Sequence, residues 1–165
     1  MRNRILAIVV GLIVVGAFAG VALATPVIGT ITAETARGAL DEDIKVNTRF
    51  ENGASVKLQT RGAIEVISQR IVAEPGSSFG WHSHPGENVN VVVQGTLTLY
   101  HDETCTEGTT YETGDAFSTS PDEIHLAHAG AGTQLILFAT YFAPITTPLM
   151  PVRIDQPLPQ VGCPA

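Results

Sequence analysis

The sequence is poor in charge and in aromatic residues. Of its 165 residues, 15% are charged, 6% are aromatic and only two are cysteine. A low charge beside an apolar share of 44%, with 16 Gly and 10 Pro, excludes a mainly disordered chain, a collagen-like repeat and a long coiled coil. The chain has neither a CxxC pair nor a second cysteine cluster, which disfavours a cysteine-ligated metal site. The length fits one domain.

Basic residues are the scarcer charged class. Nine Lys and Arg stand against 16 Asp and Glu, which gives a formal charge of −7. Two of the nine, Arg2 and Arg4, precede an apolar segment and would be lost with it, leaving the rest more acidic. An acidic chain is repelled by phosphate groups, so we expect no nucleic-acid partner and no attraction to anionic membrane surfaces.

The N-terminus has the three parts of a secretory signal peptide. Arg2 and Arg4 precede the uncharged run ILAIVVGLIVVGAFAGVALA, which ends in the small-x-small triplet Ala22-Leu23-Ala24. Cleavage after Ala24 is therefore expected. Because the run approaches the ~20 residues that a helix needs to cross a bilayer, an uncleaved N-terminal membrane anchor over residues 1–24 is the alternative. In both cases the remainder is extracytoplasmic, either secreted or anchored to the membrane.

Export changes the expected state of the two cysteines. An oxidising compartment permits a disulfide, and Cys105 and Cys163 allow one intramolecular pairing. That pairing would join the Pro-rich tail to a loop, and we favour it. Two unpaired thiols are the alternative.

The pattern of apolar residues after residue 40 has a period of two. Turn pairs such as Pro75-Gly76 and Gln94-Gly95 separate short segments, and no long helical pattern lies between them. Such a series predicts an all-β antiparallel sandwich or barrel. The predicted strands are Ile44–Arg49, Ser55–Thr60, Ile64–Val72, Val89–Val93, Thr96–Tyr100 and Gln134–Phe142.

The predicted organisation has four parts. Residues 1–24 are the signal peptide or anchor, and residues 25–40 are a linker or a first strand. Residues 41–145 form the barrel, and residues 146–165 are a Pro-rich tail extended along its surface.

Three histidines carry the chemistry of the sequence. His82 and His84 are two residues apart, so an extended backbone points both imidazoles to the same face. His125 comes from a distant segment, GDAFSTSPDEIHLAHAG. It can meet the pair only if the sheet curls around one cavity, as it does in a small β-barrel.

These residues resemble the motifs of the cupin superfamily. The first motif runs glycine, HxH, glutamate and glycine, and it falls on Gly76, His82, His84 and Gly95 at the family's spacing. Its glutamate position is occupied by Asn88, while Glu87 lies one residue before it.

The second cupin motif matches in part. Its first glycine and its histidine fall on Gly114 and His125, whereas Ser120, Asp122 and Ala129 stand where the family has proline, glycine and asparagine. The resemblance covers about residues 40–145 and implies a cupin-type antiparallel β-barrel, or jelly roll. The pieces GWHSHPG, GTLTLY and ATYF are similar to small exported bacterial single-domain cupins of undefined activity, a likeness that supports the disulfide and the export and implies no substrate.

The resemblance implies a divalent transition metal held by His82, His84 and His125. Imidazole nitrogen suits Fe, Mn, Zn, Ni and Cu alike. With the neutral Asn88 at the glutamate position, the ion would keep its full charge and open positions, as in the three-His non-haem iron dioxygenases of this fold. Asn90 has the strand parity of Asn88, so both amides are expected to line the cavity. Glu87 would reach the cavity only after a register shift of one residue.

The other histidines have simpler interpretations. His101 follows the strand GTLTLY and is expected at a solvated strand end. His128 differs in parity from His125 and is expected outside the cavity. Trp81 differs in parity from His82 and is expected to serve in packing.

Two functions follow. The protein is an exported metalloenzyme, a dioxygenase-like oxidoreductase or an isomerase acting on a small acidic or chelating molecule, or it is a non-catalytic cupin module that binds a small-molecule ligand. A homodimer is a further expectation.

Overall fold

The structure is a computed structural model that describes residues 26–158 and 162–164. The predicted signal peptide or membrane anchor lies outside the described residues. Within the described part of the chain, no helix has the length and the apolar character needed to cross a membrane.

The described residues form twelve β-strands and no helix, as the all-β prediction requires. The strands are β1 (Ile31–Leu40), β2 (Lys45–Arg49), β3 (Ser55–Gln59), β4 (Ile64–Ala73), β5 (Ser78–Ser83), β6 (Glu87–Gln94), β7 (Thr96–Tyr100), β8 (Gly108–Glu112), β9 (Ala116–Thr119), β10 (His125–Ala129), β11 (Leu135–Pro144) and β12 (Ile154–Asp155).

Two five-stranded antiparallel sheets face each other. One has the strand order β1-β4-β11-β6-β9 and the other has the order β12-β5-β10-β7-β8. The hairpin β2-β3 forms a separate two-stranded sheet. From β4 to β12, consecutive strands pass from one sheet to the other except at β7-β8, so the chain encloses a core with a jelly-roll connectivity.

The core lies between the sheets. Along β11, Leu135, Leu137, Ala139 and Tyr141 are buried while the residues between them are more exposed, which is the period of two seen in the sequence. Strand β4 shows the same alternation, with Ile67 fully buried. Burying one face of each sheet in this way is the main driving force for the fold.

The apolar pattern did not predict β5, β8, β9, β10 or β12, and for β5 and β10 their burial explains why. Every residue of β5 is buried, including Trp81, which has no exposed surface. Four of the five residues of β10 are buried as well. A strand that is covered on both faces has no polar side to alternate with its apolar side, so the signal on which the prediction depends is missing.

The C-terminal segment is fastened to the barrel at several points. Strand β12 pairs with β5, with Asp155 opposite His82. Arg37 donates a hydrogen bond from Nη2 to the carbonyl oxygen of Met150 at 2.9 Å. A disulfide joins Cys105 to Cys163, so the favoured pairing is confirmed. The segment predicted as a surface tail therefore also adds a strand beside the first histidine pair.

Part of the outer surface is apolar. Val89, Val91 and Val93 of β6 and Phe138 of β11 are each exposed by more than two fifths. They share the outward parity of their strands, away from the core. The homodimer stays a prediction.

Candidate metal centre

The fold brings His82, His84 and His125 together. His82 is in β5, His84 follows the end of β5, and His125 begins β10 directly opposite His82. The ring centroids of His82 and His125 are 4.4 Å apart. The ring centroid of His84 lies 5.0 Å from that of His82 and 5.2 Å from that of His125. One ring nitrogen from each histidine lies within 4.8 Å of the other two. An ion held at ~2.1 Å from each nitrogen requires them to be closer than this upper limit.

Each of the three rings is anchored through Nδ1 to a backbone carbonyl oxygen. Nδ1 of His82 donates to Gly80 at 2.8 Å, Nδ1 of His84 to Val152 at 2.7 Å, and Nδ1 of His125 to Glu123 at 2.9 Å. Because a carbonyl oxygen only accepts, Nδ1 carries the hydrogen in all three rings. The neutral rings therefore keep the lone pair of Nε2 for a ligand, which is the arrangement usual for metal-binding histidines.

Burial keeps these imidazoles neutral. Desolvation lowers the pKa of His82 well below its ordinary value, helped by the neighbouring His125 and Arg153. It also lowers the pKa of His84, and it lowers that of His125 to about 3. The uncharged ring is the form that coordinates metal, so near neutral pH no proton has to leave before an ion binds.

An amide, Asn88, stands at the glutamate position of the motif, and a second amide, Asn90, lies beside it. Asn88 is 1% exposed and Asn90 is 4% exposed, and both line the cavity, whereas Glu87 is exposed outside it. Asn90 donates from Nδ2 to Oδ1 of Asn88 at 2.6 Å, and the backbone N–H of Thr119 donates to the same oxygen at 3.3 Å. No carboxylate therefore stands beside the imidazoles from this strand.

The remaining two histidines lie apart from the group. The imidazole of His101 is half exposed and lies 3.3 Å from the carboxylate of Glu123, at the end of β7. Its ring centroid is 6.3 Å from that of His125. His128 does not line the cavity.

Two contributors to the site were missed by sequence reasoning. Tyr141 has its ring centroid 5.1 Å from that of His84, and burial raises the pKa of its phenol to about 12. Its parity with Leu137 and Ala139 could have placed it inside the barrel. Arg153 reaches the cavity wall from the C-terminal segment, with Nε bonded to the carboxylate of Asp155 at 2.5 Å. No local pattern marks Arg153, because an arginine in a Pro-rich stretch is usually solvated.

The histidines line a cavity of about 410 Å³ inside the barrel. This volume is typical of a site for a small organic molecule. None of the described residues lining it is an aspartate or a glutamate. The lining residues are Val27, Ile31, Ala33, Gln69, Ile71, Phe79, His82, His84, Asn88, Asn90, Leu97, Leu99, Phe117, Thr119, His125, Ala127, Leu137, Tyr141, Val152 and Arg153.

Residues 69–141 match the family described as Cupin domain. The chain contains a cupin domain. The matched region contains the three histidines and the two amides, and the resemblance drawn from the motifs is thereby confirmed. No curated protein matches the chain significantly.

Solved structures similar to this chain match part of it. A cupin-like protein from Thermotoga maritima is 24% identical over 46% of this chain and 56% of its own, with a TM-score of 0.42. A protein with a double-stranded β-helix domain from Klebsiella pneumoniae is 21% identical over 62% and 77%, with a TM-score of 0.42. A polyketide cyclase from Streptomyces resistomycificus is 18% identical over 47% and 54%, with a TM-score of 0.41. The matched segment thus spans just over half of the Thermotoga protein.

The donor set of this cupin fits a divalent transition metal. It offers three neutral nitrogen donors on a fixed backbone frame, and nitrogen ligands suit Zn, Fe, Ni and Cu more than Mg or Ca. The site does not select among the transition metals.

Proposed function

We propose that this cupin is exported, holds one divalent transition-metal ion on His82, His84 and His125, and oxidises or isomerises a small acidic or chelating molecule. The observation that carries the proposal is the set of three Nδ1–H bonds to backbone carbonyls, which fixes every ring with Nε2 free. A histidine in an ordinary core has no reason to share this arrangement with two neighbours, whereas metal ligands use it to set ring orientation.

Export is supported by the N-terminal sequence and by the disulfide. Disulfides persist in oxidising compartments and are rare in the cytosol. The Cys105–Cys163 bond therefore fits a protein that leaves the cytoplasm.

The protein's own groups define what the centre can take. A bound ion would supply Lewis acidity and, if it is redox-active, electron transfer. Asn88 and Asn90 add no negative charge beside the imidazoles, so this strand supplies no carboxylate to offset the charge of a bound ion. The phenol of Tyr141, with its raised pKa, stays protonated at neutral pH and can donate a hydrogen bond to an oxygen of the ligand. An acidic or chelating molecule would supply oxygen ligands to the ion and an acceptor for the Tyr141 hydroxyl.

The test is a metal titration of the purified full-length protein by calorimetry. Replacing His82, His84 or His125 by alanine should remove most of the affinity for Zn²⁺ and for Mn²⁺, because two imidazoles hold a labile divalent ion poorly. His101→Ala and His128→Ala are the matched controls and should cost little. Unchanged affinity in folded His84→Ala and His125→Ala would contradict the site.

Two further measurements test the glutamate position of the metal centre and its catalytic turnover. Asn88→Glu should tighten metal binding, since it places an anionic oxygen donor at the cavity wall where the cupin motif has one. Metal analysis of protein from the exported fraction, followed by an O₂-uptake screen with Fe²⁺, asks for turnover. If no metal copurifies and none can be loaded, the enzyme function falls and a non-catalytic binding module remains.

A further inference from the structure

Arg153 brings a fixed cation to the wall of the three-histidine cavity. Its side chain is 26% exposed, and its Nε donates to Oδ1 of Asp155. Its Nη2 is buried and has no hydrogen-bond partner within residues 26–158 and 162–164. The Nε of the guanidinium is therefore bonded to a carboxylate of the chain, while its buried Nη2 lacks a hydrogen-bond acceptor among the described residues.

Arg153 Nη2 shares this condition with one other atom, and the two residues line the same cavity. In the described part of the chain, the buried side-chain atoms that lack a partner are Arg153 Nη2 and Thr119 Oγ1, and both residues line the cavity. Buried polar atoms are rarely left unpaired, because each then loses its bonds to water without replacement. Two such atoms around one cavity indicate a polar ligand that supplies their partners.

The rest of the wall indicates which ligand. No described aspartate or glutamate lines the cavity, so the chain offers no internal anion to the free donor of Arg153. Much of the remaining wall is apolar, with Ile71, Phe79, Leu97, Leu99, Phe117 and Leu137. A guanidinium binds a carboxylate through its planar set of N–H donors, and an apolar wall binds hydrocarbon. A ligand with one carboxylate and an apolar body satisfies both parts.

We propose that Arg153 binds the carboxylate of the ligand and that the cavity selects small monocarboxylic acids with an apolar body. The inference rests on the proposed function, because it names the ligand class of the same site. The carboxylate contact itself belongs to the chain, so it can be measured on metal-free protein.

The experiment compares benzoate with benzamide, its neutral counterpart of the same shape, by calorimetry on full-length protein treated with a chelator. Benzoate should bind the parent protein more tightly than benzamide does. Arg153→Gln should weaken benzoate binding by at least about tenfold, the usual effect of losing a hydrogen bond to a charged group, and should leave benzamide binding unchanged.

Two variants guard the interpretation. Arg70→Gln removes the same charge from β4, where the neighbouring Gln69 and Ile71 line the cavity and Arg70 does not. It should bind benzoate like the parent. Arg153→Lys keeps the charge but loses the planar donors, and it should weaken benzoate binding several-fold. It supplies the comparison if Arg153→Gln does not fold.

Zn²⁺ titration of the same variants separates this inference from the metal proposal. Benzoate binding that depends on Arg153 in a protein that takes up no metal would support the carboxylate site and overturn the metal centre. Equal benzoate affinity in the parent and in folded Arg153 variants would overturn the carboxylate site, as would a parent that does not bind benzoate at millimolar concentration.

Discussion

Acidification should destabilise the metal-free protein through its buried histidines. The unfolded chain takes up a proton on each imidazole below pH ~6.5, whereas the folded protein, with the pKa of His125 lowered to about 3, does not. The unfolded state then binds more protons, so the free energy of unfolding falls as the pH drops from about 6.5 towards 3. Above that window both states are neutral at His125 and nothing is lost.

The size of the effect follows from the two pKa values. A pH of 5 lies about 1.5 units below the unfolded pKa of ~6.5, so the unfolded imidazole is protonated while the folded one is still neutral. The free energy of unfolding therefore falls by about 2 kcal/mol for His125 alone. The pKa values of His82 and His84 are lowered as well, so they add in the same direction. Ordinary carboxylates, with pKa values of ~4, stay ionised between pH 7 and pH 5 and contribute little.

The assay is denaturant unfolding followed by tryptophan fluorescence. Trp81 is the single tryptophan of the chain and is fully buried, so its emission reports unfolding. His125→Gln should lose about 2 kcal/mol less than the parent between pH 7 and pH 5. His101→Gln, at a half-exposed imidazole whose ring centroid lies 6.3 Å from that of His125, is the control and should lose clearly more than His125→Gln does. An equal loss in the parent and in His125→Gln would refute the reasoning.

Three further outcomes are expected. Replacing Cys105 and Cys163 by alanine should lower the free energy of unfolding by about 4 kcal/mol, since the bond closes a loop with a separation of 58 residues. It should also weaken Zn²⁺ binding, because the C-terminal segment that the disulfide fastens supplies the carbonyl oxygen of Val152 that anchors His84. An unchanged Zn²⁺ affinity in calorimetry would count against a role of the disulfide in positioning His84. Gly86→Ala should lower the free energy of unfolding by roughly 1–3 kcal/mol, because the added Cβ would overlap a backbone carbonyl of β11. In the control Gly132→Ala the added Cβ meets open space, so the free energy of unfolding should hardly change. The intact mass of the exported protein should correspond to a chain that begins at Thr25; a full-length chain in the membrane fraction would indicate the anchor instead.

Strands β4, β6, β7 and β11 could be predicted because each has one face in water. In β4, β7 and β11 the buried side chains alternate with more exposed ones, so the apolar pattern in the sequence has a period of two. Strands β5 and β10 carry the histidines and are buried on both faces, so the same pattern could not identify them. The strands most important for the site were for this reason the hardest to see.

Local geometry determined part of the site. The HxH spacing puts His82 and His84 on one side of any extended backbone, and two cysteines in an oxidising compartment leave one internal pairing. These features depend on neighbours in sequence or on a simple count, so the sequence by itself determined them.

The rest needed the tertiary structure. His125 meets the pair only because β10 lies antiparallel to β5, which brings His125 opposite His82. The anchor of His84 is the carbonyl oxygen of Val152, which is 68 residues away in sequence, and Arg153 comes to the cavity with the same segment. A backbone carbonyl has no signature in the sequence, and a charged side chain is placed in a cavity by the path of the whole chain. The position of Arg153 at the cavity and the anchor of His84 were therefore decided by the tertiary fold.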